Sequence, residues 1–201
     1  IITRGPRDID FISAGSSVDG LNNLTTEQIH FLVHKIDELN SMYDFIIIDT
    51  GAGISDQVME FVASSSEIIL VTTPEPTSIT DSYSLLKALY KRKNFVPDNS
   101  RIKIIANKVT SRDDANIVYN KINSVVMQFL KGKLEYLGYI PSDASVERAV
   151  RQQQIVSICE PFSKASRAYD DIAEKLLGNE ATQNTVKKSI AHIFSSFLKK
   201  Q

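Results

Sequence analysis

Tyr43-Asp44-Phe45-Ile46-Ile47-Ile48-Asp49-Thr50-Gly51-Ala52-Gly53 is the stretch on which the reading of the fold turns. Phe45 to Ile48 are four consecutive apolar residues, three of them β-branched. Such a run predicts a strand buried on both faces of a parallel sheet. It ends abruptly in Asp49, with Gly51 and Gly53 behind it. Open α/β sheets bind their ligands beyond the carboxyl ends of the strands. A carboxylate there can hold Mg²⁺ directly or through water, and glycine lets the backbone approach a phosphate closely. The same residues would also suit a plain turn into a helix, so the surroundings decide.

Working outward, residues 9–13 predict a short strand, and 14–17 a turn. Thr25 and Gln28 form a capping box, Leu24 can staple against Ile29, and Ile29, Leu32, Val33, Ile36 and Leu39 share a helical face. His30 and His34 have a helical spacing, but without a third ligand they read as a solvated pair. On the other side, residues 55–65 predict a helix and 67–72 a buried strand. That strand is stopped by Pro74 and Pro76, which fit neither helix interior nor ladder. A helix over 79–93 ends in Lys87, Lys91, Arg92 and Lys93, cations that suit a helix carboxyl end. Residues 102–106 predict a strand ending in Asn107-Lys108. Val118, Ile122, Val125 and Phe129 then mark one face of a helix closed by Gly132. A strand over 134–140 ends in Pro141-Ser142-Asp143, and helical pieces follow at 146–152 and 162–177. The alternation predicts a doubly wound α/β fold with a mainly parallel sheet. In that fold Asp49, Thr73-Pro74, Asn107 and Pro141-Ser142-Asp143 line one crevice.

The totals narrow the class. With 201 residues, 42% hydrophobic, 23% charged and a net charge of −1, the chain suits one ordinary globular domain. No global basicity points to nucleic acid. Cys159 is the single cysteine and cannot form an internal disulfide; with no signal peptide this reads as cytosolic. No apolar run approaches a membrane span. The eight glycines nowhere form a G-x-x-x-x-G-K-[ST] loop, and the chain opens on Ile1-Ile2. The expectation is a piece that is incomplete at its amino terminus and, alone, hydrolyses no ATP.

Asp49-x-x-x-Gly53 after an apolar strand resembles the Walker B and switch II segment of the MinD/ParA family of P-loop ATPases. The more specific likeness is the T-P-E-P-T-S-I-T-D-x-Y pattern of residues 73–83, and residues 138–143 resemble a G-x-I-P-x-D loop. Over residues 5–178 the chain most resembles the FlhG (YlxH or FleN) branch, which controls flagellar number and placement. Gly5-Pro6 and residues 13–16 also resemble that branch, although Ala14 replaces a glycine. The resemblance implies ATP and Mg²⁺ as cofactors, with Asp49 on the metal and its water and the Gly53 amide sensing the γ-phosphate. Thr50 and Gly51 would lie beside the nucleotide, and Asn107, Pro141, Ser142 and Asp143 would frame the base. GTPases of this superclass read guanine with N-K-x-D. Here Thr110 stands in place of the acid, while an amide such as Asn107 both donates and accepts, as the adenine edge does.

The implied function is an ATP-dependent homodimer on the inner face of the cell membrane. Its implied partners are the SRP-type GTPase FlhF, flagellar C-ring and switch proteins, and anionic lipid. The alternatives are a ParA-type DNA-partitioning or MinD-type division-site ATPase, or a scaffold without a P-loop. The expected organisation is an ATPase portion over 1–178, a polar linker over 179–184 and an amphipathic helix over 185–201. Val186, Ile190, Ile193, Phe194, Phe197 and Leu198 recur on one face of that helix, among Lys187, Lys188, Lys199 and Lys200 and no acid.

Overall fold

Ile102, Lys103, Ile104, Ile105 and Ala106 are consecutive in the chain and none is more than 6% exposed. Only a strand with neighbours on both edges and helices on both faces hides every residue in this way. In the computed structural model, which describes residues 2–12, 35–36, 38–39, 41–51, 53–93, 95–97 and 101–181, that strand is the middle of a parallel three-stranded sheet. Its order is β3 (Glu67–Thr72), β4 (Arg101–Val109) and β5 (Glu135–Pro141). The expected fold class, an α/β fold with a parallel sheet and helices on both faces, is the one observed.

One face is covered by α1 (Asp56–Ser64), α2 (Pro76–Tyr90) and α3 (Arg112–Val125), with Met59, Leu86, Leu89, Val118 and Ile122 packed on Ile68, Leu70, Ile102 and Ile104. On the other face α6 (Lys164–Ala181) sets Ala165 and Ile172 against Ile105, Leu137 and Ile140. Gly138 makes that approach possible, since a Cβ there would stand 3.1 Å from Ile172 Cγ1. Two short helices, α4 (Ala144–Arg151) and α5 (Val156–Cys159), join β5 to α6. The chain divides into two compact units after Ile47. In the first, β1 (Thr3–Arg4) pairs antiparallel with β2 (Asp10–Phe11), and Asp10 takes both Arg4 (2.8 Å) and the Tyr43 hydroxyl (2.7 Å).

Four expectations need correction. The run 45–48 forms no strand: Ile47 is 89% exposed, Phe45 49% and Ile48 37%. An apolar run shows that a segment can be buried, but a parallel strand exists only where a ladder partner lies alongside. Among the described residues the sheet's ladders are β3 with β4 and β4 with β5. The middle of the sheet is therefore β4. The strand expected over 9–13 shrinks to the two-residue β2, while α6 continues through Gly178 to Ala181, beyond the expected end at 177.

The fourth correction concerns Val125 and Phe129. After α3 the chain makes a π-helical turn over Val126–Leu130. An i→i+5 turn inserts one residue and rotates the side-chain phase. Val126, still in phase with Val118 and Ile122, is buried; after it Leu130 packs against the core, and Phe129 is left 63% exposed. The His30–His34 pair, the capping box at Thr25 and the tail over 185–201 lie outside the described residues.

Candidate functional site

The carboxyl ends of β3, β4 and β5 meet along one edge of the sheet, and each is fixed by local chemistry. At the end of β3, the Ser78 hydroxyl lies 3.1 Å from Thr72 Oγ1 and accepts from the Thr73 amide (3.0 Å). Pro76 stands at the first position of α2, where a missing N–H is harmless. The Glu75 carboxyl is held below its ordinary range, chiefly by the Thr73 side chain and in smaller part by the charge of Lys108.

At the end of β4 the register against β5 slips between Asn107 and Val109, so Lys108 is the extra residue of a bulge. Its φ is 56°, a left-handed conformation that non-glycine residues adopt rarely. Bulges of this kind re-aim side chains beside functional sites. The bulge brings the Lys108 amide onto Asn107 Oδ1 at 2.9 Å. One Oδ1 lone pair and both Nδ2 hydrogens are left, so Asn107 still donates and accepts. Thr110 is committed elsewhere, because its amide (3.0 Å) and hydroxyl (3.1 Å) both donate to Asp114 Oδ2. Ser111 in turn caps α3 by accepting from the Asp114 amide.

At the end of β5 the Ser142 amide donates to Val109 O (2.9 Å), tying this loop to β4. Asp143 does something composition did not disclose. Its Oδ1 accepts from the Ser145 amide (2.9 Å) and hydroxyl, and its Oδ2 accepts from the Ala165 amide (3.1 Å). One carboxylate thus caps α4 and the first turn of α6. Those hydrogen bonds, led by Ser145, lower its pKa from 3.8 to about 2. Asp143 holds the loop in place, and Pro141 and Ser142 present it.

The loop over 49–53 is a separate matter. Asp49, Thr50, Gly51 and Gly53 are exposed, and among the described residues no hydrogen bond or ion pair ties them to the three strand ends. Gly53 has φ 121°, a backbone that a side chain would strain. Ser55 caps α1 behind it by accepting from the Val58 amide. Asp49 is exposed, and among the described residues it has no hydrogen-bond or ion-pair partner and no cluster of three or more metal-ligating side chains exists. That donor set fits Mg²⁺, which keeps its waters and takes one or two carboxylates together with substrate phosphates. Asp114 and Ser145 support the site without having been picked out in the sequence, while Ser78 lies in the 73–83 pattern that was. For Asp114 the signal was the Ser111-x-x-Asp114 capping spacing.

No family model matches the chain. It is 34% identical to the antiactivator FleN of Pseudomonas aeruginosa over 176 residues, 88% of this chain and 61% of that protein. The flagellum site-determining protein YlxH of Helicobacter pylori is 32% identical over 71% of the chain and 47% of that protein. The septum site-determining protein MinD of Bacillus subtilis is 26% identical over 85% of the chain. The chain belongs to the MinD/ParA family, on its FlhG branch. It spans about three fifths of FleN and under half of YlxH. A MinD/ParA fold is also what solved structures show. A ParA family ATPase from Chlorobium tepidum superposes with a TM-score of 0.65 at 23% identity, covering 88% of this chain and 66% of that one. The septum site-determining protein MinD of Pyrococcus horikoshii, in complex with Mg-ADP, gives 0.55 at 23% identity over 77% of this chain and 60% of that one.

Proposed function

We propose that this chain is the base-reading and switch-bearing part of an ATP-binding, ATP-hydrolysing dimerisation switch that sets flagellar number and placement at the membrane. The observation that carries this reading is the single edge on which the β3 end, the bulged Asn107 and the loop over 138–143 converge. The names of FleN and YlxH support the flagellar assignment. Asn107 contacts the base edge, and Pro141 and Ser142 present backbone to it. Asp49 would hold Mg²⁺ through water, where the ion supplies charge neutralisation to the phosphates. Thr50 and Gly51 give the phosphates a small, open loop. Gly53, with no atom within 4 Å of where a Cβ would stand, leaves its amide free to follow the γ-phosphate. ATP joins two copies, and the dimer meets FlhF, the C-ring and lipid. DNA partitioning and a scaffold role remain outcomes that the experiments below can return.

The base site is testable on the chain as it stands. Adenosine should shift the amides of Asn107, Lys108 and residues 139–142, while guanosine should bind roughly tenfold more weakly. Guanine lacks its double acceptor because Thr110 is spent on Asp114, and an unmet polar group costs about 1–3 kcal/mol. Equal shifts from both nucleosides would remove the adenine reading. The tail supplies the membrane term: one amphipathic helix binds anionic lipid weakly, and two in a dimer bind far better through effective concentration. No helix among the described residues is long and apolar enough to cross a membrane. In co-sedimentation with vesicles of graded anionic content, deletion of 185–201 or Phe194→Glu should abolish binding. Unchanged binding would make the tail an ordinary packing helix.

A further inference from the structure

At Phe129 the sequence pattern and the structure disagree, and exposed neighbours accompany it. A regular continuation of α3 would carry Phe129 to the core face, seven residues after Ile122. The π-helical turn shifts the phase after Val126, so that Leu130 packs against the core while Phe129 is left 63% and Met127 58% exposed. Such turns recur at functional positions. Immediately after it come Lys131, with a left-handed φ of 53°, Gly132 and Lys133. Gly132 lies against the ring of Tyr90, so closely that a Cβ would stand 2.0 Å from the Tyr90 hydroxyl oxygen. That contact fixes the end of α2 beside the π turn and adds Lys91 and Lys93 to Lys131 and Lys133.

All four lysines are exposed, and none makes an ion pair among the described residues. Arg92, the other cation of this end, is not free: it is half-buried on Asp56 and Glu60 of α1. A helix carboxyl end accounts for Lys91 and Lys93 through the dipole. Lys131, in the cap position of the π turn, stands at a carboxyl end in the same way; the dipole does not account for an aromatic side chain turned out of the core between the two pairs in sequence.

We propose that this end of the fold, Lys91, Lys93, Lys131 and Lys133 around Phe129 and Met127, is a docking surface for an acidic protein segment that inserts an apolar side chain. Charge complementarity sets the sign of the partner, and the phenylalanine with the adaptable methionine supplies its anchor. The cations come from two segments pinned to one another, an arrangement that reads shape; a diffuse lipid surface requires only net positive charge. One exposed aromatic is also a small apolar area for a membrane. Nucleic acid is disfavoured by the net charge of −1, which gives no long-range attraction to phosphate.

The experiment uses the whole chain and a short fluorescent peptide of alternating Glu and Leu, with its Lys-for-Glu counterpart, anionic vesicles and a DNA duplex as separate arms. Fluorescence anisotropy should show saturable binding of the acidic peptide alone. Phe129→Ser should weaken it roughly tenfold, and Lys93→Glu with Lys131→Glu at least as much. Both changes are at exposed positions, and unaltered circular dichroism certifies the fold. Absence of acidic-peptide binding, binding that both variants leave unchanged, or loss in the variants of vesicle or duplex binding alone would overturn the proposal.

Discussion

Replacing Glu67 with alanine is expected to lower the unfolding free energy by about 3 kcal/mol, the low end of the range for breaking a buried ion pair. The reason lies in Lys103, a lysine with 0% exposure in the middle strand of the sheet. Its Nζ stands 2.6 Å from Glu67 Oε1, an ion pair without hydrogen-bond geometry, and has no hydrogen-bond partner among the described residues. Glu67 is itself a quarter exposed and also meets Arg101 at 3.2 Å, so water shares its charge but not that of Lys103. Removing the carboxylate strands a buried cation. Removing both charges need not: Glu67→Gln with Lys103→Met should recover most of the loss, since a well-packed apolar replacement of a buried pair is often neutral or better. Urea unfolding of the three variants measures this. A loss below about 1 kcal/mol for Glu67→Ala would mean that Lys103 finds water or another acceptor.

The same strand shows what could be read in advance. The strand over Glu67–Thr72 emerged with the bounds expected, because two prolines end it and β-branched residues fill it. Apolar runs and breakers are local properties, and local properties survive in the fold. The run over 45–48 carried an equally strong signal and forms no strand, because pairing depends on what lies alongside, and no residue type records that. Phe129 failed for a related reason: a single inserted residue in the π turn changes the phase of everything after it, and a periodic pattern assumes that no insertion occurs. At the candidate site the strand ends were legible as positions, while their roles were not. Asn107 stands at its edge as expected, yet the Lys108 bulge that aims it has no sequence signal, since lysine is not a residue of left-handed backbone. Thr110 was legible as the wrong residue for guanine, but its commitment to Asp114 appears only in the folded chain.

Asp143 shows how a residue can lie at a site and act by holding it. Asp143→Ala should destabilise the fold by about 2 kcal/mol, because it removes the acceptor shared by the starts of α4 and α6. The pH dependence separates this from ordinary packing. The folded pKa is about 2 against an ordinary 3.8, so the carboxylate is favoured by folding. Its contribution is complete above 3.8 and is lost as the pH falls towards about 2. Wild type should therefore lose stability across that interval, and Asp143→Ala should lose less, its curve running below and flatter. Asp143→Asn keeps an acceptor for Ser145 and removes the titration, so it should be the most stable of the substitutions and flat as well. Guanidinium unfolding at a series of acid pH values gives all three curves. Adenosine binding then separates the two roles. If Asp143 only positions Pro141 and Ser142, the folded Asn variant keeps its affinity; if the carboxylate touches the base, affinity of the folded Asn variant falls.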